Sequence, residues 1–197
     1  MKRKGSYKAA IIILLLTALS VTAFITINKY NAYHDYLENR VFGTSIKWFD
    51  INFDSYSELI DETISEETID LKTVTQLNST YTYGHDQFLE LSHIAEVLKG
   101  ADLNSNRILD KLSEISTTLT LLKQEVEENG TNTLKLSQDQ VKFLTNIKAF
   151  NSIFKDTLKE YSEVDGEEFF EYDNQYWIEY LSKISKRSDS IIIYNVY

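Results

Sequence analysis

The 197-residue chain has no cysteine, no proline, six glycines and a single methionine. Without cysteine there is no disulfide, no thiolate nucleophile and no Cys-ligated metal. A lipoprotein anchored through a modified cysteine is excluded on the same ground. Small exported domains often depend on disulfides. One of about 165 residues without them has to be held by its core, and that length permits it. The lack of proline argues against a loop-rich or β-rich fold, which uses proline in turns, and suits long helices, which exclude it. Three of the glycines, Gly100, Gly130 and Gly166, each follow a stretch of helical periodicity, where a helix C′ residue belongs. Catalytic signatures are missing as well: there is no G-x-S-x-G, no P-loop and no G-x-G-x-x-G. The three histidines, His34, His85 and His93, stand in no H-E-x-x-H or comparable metal spacing. His85 and His93 fall off the apolar seam and are expected to be exposed.

What is present begins with an apolar run. Residues 9–27 carry no charge and follow Lys2, Arg3, Lys4 and Lys8. As a helix they would reach about 28 Å, close to a hydrocarbon core of about 30 Å. Tyr7 before the run and Tyr30, Tyr33 and Tyr36 after it suit the headgroup zones. The basic flank is expected to stay in the cytoplasm, placing the carboxy-terminal side outside in a single-pass arrangement. The short inner flank then has no room for an enzymatic or signalling domain. A cleaved secretory signal is the rival, with Val21-Thr22-Ala23 as its cleavage position and a secreted product. Length favours the anchor, since signal cores are typically about 7–15 residues. Both readings export the rest of the chain. Usage rich in Lys, Ile, Asn and Tyr suggests a low-GC Gram-positive bacterial source.

Charge divides with the compartments. Four of the 20 Lys and Arg precede Ala9, leaving 16 against 30 Asp and Glu, a net −14 for the exported part. Nucleic acid and anionic headgroups are therefore poor partners. A basic protein, a cationic peptide or divalent cations are better ones.

Four helices are expected over residues 67–187. The first, about Glu67 to Lys99, carries Val74, Leu77, Tyr81, Gly84, Phe88, Leu91, Ala95 and Leu98 at alternating spacings of three and four, an a/d seam. Its Thr73–Gly84 part is rich in weak helix formers. Gly84 sits on the seam as a kink, a break or a place of close approach. The second, about Leu103 to Asn129, repeats the seam at Ser105, Ile108, Leu112, Ile115, Leu119, Leu122 and Val126, with Asp102 as its expected N-cap. The third, about Ser137 to Val164, places Leu144, Ile147, Asn151, Phe154, Leu158 and Tyr161 on one face. Ser137 with Gln140 matches a capping box. The fourth, about Glu167 to Lys186, carries Phe170, Trp177, Leu181 and Ile184. Upstream, the membrane helix is expected to run on through Asn31 to Arg40 and to end near Gly43. A short helix is expected over Asp54–Ile64. Alternation of Phe49, Ile51 and Phe53 leaves a strand or an interfacial segment open there. The tail 191–197 is β-prone.

Two stretches, 48–71 and 160–182, each hold eight acidic residues and no basic one. The second is interleaved with aromatics. From them come the candidate partner-binding residues: Asp54, Glu58, Glu62, Glu167, Glu168, Glu171, Tyr172 and Tyr176. The competing explanation is a solvated face that keeps the domain soluble, with the aromatics in the core. Asp54, Glu58 and Glu62 stand at i, i+4 and should repel one another slightly. Asp102-x-Asn104-x-Asn106 resembles the opening of a calcium loop. Arg107 and Ser113, however, occupy the positions that need glycine and a bidentate acid.

The fold expected is all-α, with an amino-terminal single transmembrane helix followed by an antiparallel bundle of about four long helices. Residues 1–8 form the basic flank, 9–28 the anchor, 29–66 a membrane-proximal segment with a short helix, 67–187 the bundle and 188–197 a short tail. This architecture resembles the extracytoplasmic sensor bundle of bacterial chemoreceptors, a likeness of shape that transfers no function. The leading functional reading is a membrane-anchored interaction module that binds another envelope or secreted protein. A ligand-sensing bundle, with a pocket near Gly84 and lateral signalling to a partner, is one alternative. A self-associating envelope scaffold whose seams assemble between chains is the other. No cofactor, no metal and no enzymatic activity are expected, because a narrow bundle rarely offers a cleft that perturbs carboxylates.

Overall fold

A computed structural model describes residues 4–38, 43–165, 175–193 and 196. The chain is almost wholly helical. Helix α1 spans Lys4–Tyr36. Within it, Ala10–Tyr36 is long and apolar enough to cross a membrane, and none of its apolar window is buried in the protein. Three of its hydroxyls satisfy themselves within the helix: Thr17, Ser20 and Thr22 donate to the carbonyls of Ile13, Leu16 and Ala18, four residues back, at 2.8–2.9 Å. The regular helix ends at Tyr36, and a wider π-type turn at Leu37–Glu38 follows. The expected extension to Arg40 runs beyond the described residues. Leu37 is 2% exposed and belongs to the core of the domain that follows.

Helix α2 corrects the expectation for the membrane-proximal segment. It spans Gly43–Glu66, so Gly43 opens a helix, and the short helix expected over 54–64 is one part of 24 residues. Ile46, Phe49, Phe53 and Ile60 are buried at helical spacing, while Ile51 is 62% exposed. The period-2 alternation of Phe49, Ile51 and Phe53 was therefore coincidental. Short apolar runs do not separate the two periods. Glu67, at φ +52°, stops α2.

A small antiparallel ribbon then appears that sequence reading missed. Strand β1 (Thr68–Asp70) pairs with β2 (Thr133–Lys135), Ile69 opposite Leu134. It ties the α2–α3 connection to the α4–α5 connection, and Ile69 is buried beneath it. Helix α3 consequently starts at Leu71, with Asp70 accepting from the Thr73 amide at 2.6 Å. It ends at Lys99, where Gly100 (φ +63°) donates to Glu96 O in an αL close and Ala101 N donates to Ala95 O.

Helix α4 spans Asn106–Glu128. Asp102 is not its N-cap. The carboxylate accepts from the Asn104 amide at 2.8 Å in a local turn, Asn104 adopts φ +49°, and the helix begins after Ser105. Asx turns compete with capping for the same oxygen. Helix α5 spans Gln138–Asp165, and its capping box is present in both directions. Ser137 N donates to Gln140 Oε1 at 2.8 Å, and Gln140 N donates to Ser137 Oγ at 3.2 Å. Helix α6 spans Tyr176–Ser188, and the expected earlier part of that helix lies outside the described residues. Ile191–Ile193, from the tail, forms no strand.

Among the described residues, helices α2–α6 share one core, so the lengthened membrane-proximal helix packs with those that follow it. The described seam residues of α3 and α4, from Val74 to Ala95 and from Ile108 to Val126, are buried within a single chain. Helix α3 packs along α4, α2 along α5, and α6 against α5 and α4. Aromatic rings fill the middle: Phe53 lies against Tyr81, Phe150 and Phe154, and Phe49 stacks on Phe154 at 5.2 Å.

Candidate partner-binding surface

Helical geometry brings Asp54, Glu58 and Glu62 onto one edge of α2, as their i, i+4 spacing requires. All three are exposed. Helix α5 runs alongside and supplies what the local sequence lacks, basic residues from far along the chain. Lys155 pairs with Asp54, and Lys148 reaches both oxygens of Asp61 at 2.6 Å. These partners lie about half exposed, so each pair contributes roughly 0.2–1 kcal/mol. Asp54 is therefore a structural ion-pair partner. Glu58 and Glu62 have no ion pair among the described residues. Glu58 borders a groove of about 260 Å³ between α2 and α5, with Phe53, Ser57 and Asn151 at its floor. Glu62 borders a second groove of about 400 Å³, where Glu66, Asp70, Lys72 and Thr133 meet beside the ribbon. The acidic edge thus separates into a neutralised part and an uncompensated part.

The second acidic stretch does not join it in the described structure. Glu167, Glu168, Glu171 and Tyr172 lie outside the described residues. Tyr176 is half-buried and packs against the core at the start of α6. Glu160 is held by Lys183 and Arg187 of α6, and these two bonds keep its carboxyl below the usual range. Trp177 and Tyr180, flanking aromatics of that stretch, are fully buried.

The space beside Gly84 is filled by Trp48 and Phe53. A Cβ there would stand 3.3 Å from Trp48 Cζ3 and 3.4 Å from Phe53 Cζ. The missing side chain makes room for the indole of α2, which also meets Tyr83 at 4.8 Å.

Two features went unseen in the sequence. One is a buried polar junction of three helices. Tyr81 Oη donates to Asn151 Oδ1 at 2.7 Å, and Asn151 Nδ2 donates to Phe53 O and Ser57 Oγ, each at 3.2 Å. Burial raises the Tyr81 phenol well above its ordinary pKa, the Asn151 bond offsetting only part of that. The other is a cluster at the end of α1, where ligand atoms of His34, Asp35 and Glu38 lie within 4.8 Å of one another. His34 Nδ1 stands 3.5 Å from Glu38 Oε2, an i, i+4 ion pair that accounts for the arrangement. His93 is exposed as expected, whereas His85 is half-buried beside Asp86.

Compared with known proteins, the chain matches no family model, no curated protein and no solved structure.

Proposed function

We propose that this chain is a membrane-anchored, non-enzymatic interaction protein: α1 crosses the membrane with its basic end inside, and an antiparallel helical bundle outside binds a basic envelope or secreted protein. The observation that carries it is the join at Leu37. An exposed apolar helix runs up to Leu37, and Leu37 is itself buried in the core of an acidic domain. The join supports the reading of an uncleaved anchor: cleavage after Ala23 would leave Leu37 in the core and strand an apolar stub, Phe24–Ile27, in water. The uncompensated carboxylates of Glu58, Glu62 and Glu66 along α2 are the side we assign to the partner. Their charge complements a cationic segment, and electrostatic matching of this kind acts mainly on encounter rate and specificity.

The test uses a photo-crosslinking residue at position 58 or 62 of the full chain in native membranes. A reproducible adduct, absent when the crosslinker is at Asn132 and weakened by substituting Glu66→Lys, is expected. Identical adduct patterns at all three positions would reject the assignment. Topology is read separately: a cysteine placed at Asn132 should react with a membrane-impermeant maleimide added to intact cells.

A further inference from the structure

The exported domain is strongly acidic, yet one face of it has no charge at all. In α3, Thr73–His85 contains no Asp, Glu, Lys or Arg, and in α4 neither does Ile115–Leu122. The sequence separates these runs by some thirty residues. The fold sets them side by side: Asn78 Nδ2 donates to Thr120 Oγ1 at 3.1 Å, Ser116 Oγ donates to Asn78 Oδ1 at 3.0 Å, and the Thr82 and Ser116 hydroxyls meet at 2.7 Å. Ser79, Thr82, Thr117 and Thr120 face solvent around this ladder, with Thr75 half-buried beside it. Such residues are costly choices for exposed helix positions, a few tenths of a kcal/mol each against Ala, Glu or Lys. A surface that departs from both local propensity and the charge of the rest of the domain points to a selected contact.

We propose that this face is where two copies of the chain meet side by side in the membrane. Charge chooses the occupant. Two domains with a net charge of −14 beyond Ala9 repel one another through any acidic face, and a neutral face is where close approach avoids that penalty. A basic partner would gain nothing here and is better served by the α2 edge. The face runs about 20 Å along α3 and about 12 Å along α4, and two packed helices make it about 20 Å across, some 300 Å² per copy. A stable dimer needs about 800 Å² per partner. Association should therefore depend on co-anchoring, which raises the effective concentration of one copy for another. The proposal rests on the reading of α1 as an anchor.

The chain has no native cysteine, so single cysteines report on it cleanly. Full-length chains with Ser79→Cys, Thr117→Cys or, as the control, Glu58→Cys are reconstituted in phosphatidylcholine liposomes at low protein density and treated with a short bismaleimide. Dimer yield at 79 and 117 should exceed that at 58 by roughly fivefold. Adding Thr82→Glu and Thr120→Glu to the Ser79→Cys chain should return the yield to the control level, with unchanged helical circular dichroism. Mixing that chain with a Ser79→Cys chain carrying Thr82→Lys and Thr120→Lys should restore it, since opposite charges then face each other. Equal yields at 58, 79 and 117, or indifference to the introduced charges, would overturn the proposal. Flotation of the same liposomes separates the two readings. Chains that fail to float refute the anchor and this contact together, whereas chains that float without face-specific crosslinking refute the contact alone.

Discussion

Removing the Tyr81–Asn151 hydrogen bond from one side at a time should be far worse than removing it from both. Both residues are buried, and the bond links α3 to α5 while Asn151 also reaches α2. In Tyr81→Phe the Asn151 carbonyl oxygen stays buried without a donor, which costs about 1–3 kcal/mol. In Asn151→Leu the Tyr81 hydroxyl is stranded at a similar cost, about 1–3 kcal/mol. Little more is lost at α2, because Ser57 Oγ already donates to Phe53 O at 2.7 Å. The volume change is small, and near-isosteric core exchanges usually cost less than about 1.5 kcal/mol. The double variant leaves no unpaired polar atom at the junction. Its destabilisation should fall about 1–3 kcal/mol short of the sum of the single variants. Urea unfolding of the full chain in mild detergent, followed by circular dichroism and tryptophan emission, gives the four stabilities of the cycle. Additivity within about 0.5 kcal/mol would refute the reasoning, since independent sites behave that way.

Alkaline stability follows from the same junction. Because Tyr81 resists ionisation in the fold, the unfolded chain binds fewer protons above about pH 10, and stability falls there by about 1.4 kcal/mol per pH unit for this group; Tyr81→Phe should remove that part of the slope in unfolding measured between pH 9 and 11. Gly84→Leu should push against Trp48 and destabilise by about 1–3 kcal/mol, with a red-shifted tryptophan emission; unshifted emission would contradict the packing of Trp48 over Gly84. Ser137→Ala should cost about 1 kcal/mol through loss of the reciprocal cap, read from the same urea midpoint. Lys148→Ala, in contrast, should change stability by no more than about 1 kcal/mol, and a larger loss would mean that the Asp61 pair is far less exposed to solvent than its geometry shows.

Much of the helical layout was legible because periodicity is a local property. The seam from Val74 to Ala95, the seam from Ile108 to Val126 and the capping box at Ser137 and Gln140 are each written within a few turns of one segment, and the structure carries all three. Misreadings occurred where two local devices compete for the same residues. Asp102 could cap a helix or close a turn, and it closes a turn. Phe49, Ile51 and Phe53 fit either period, and burial against α3 and α5 selects the helix. The ribbon of β1 and β2 was hidden because each strand has three residues and its partner lies some sixty-five positions away.

By itself the sequence determined the apolar helix, its basic flank, the helix-forming segments and the acidic excess, all consequences of composition and short-range spacing. Only the tertiary structure decided which charges and cavities are available. It neutralised Asp54 and Asp61 with lysines of α5, filled the gap at Gly84 with Trp48, and joined Tyr81 to Asn151 in the core. It also placed two distant charge-free runs on one face. The physical reason is common to all of these. Burial, ion pairing and surface charge depend on which segments become neighbours, and that is settled when the helices pack.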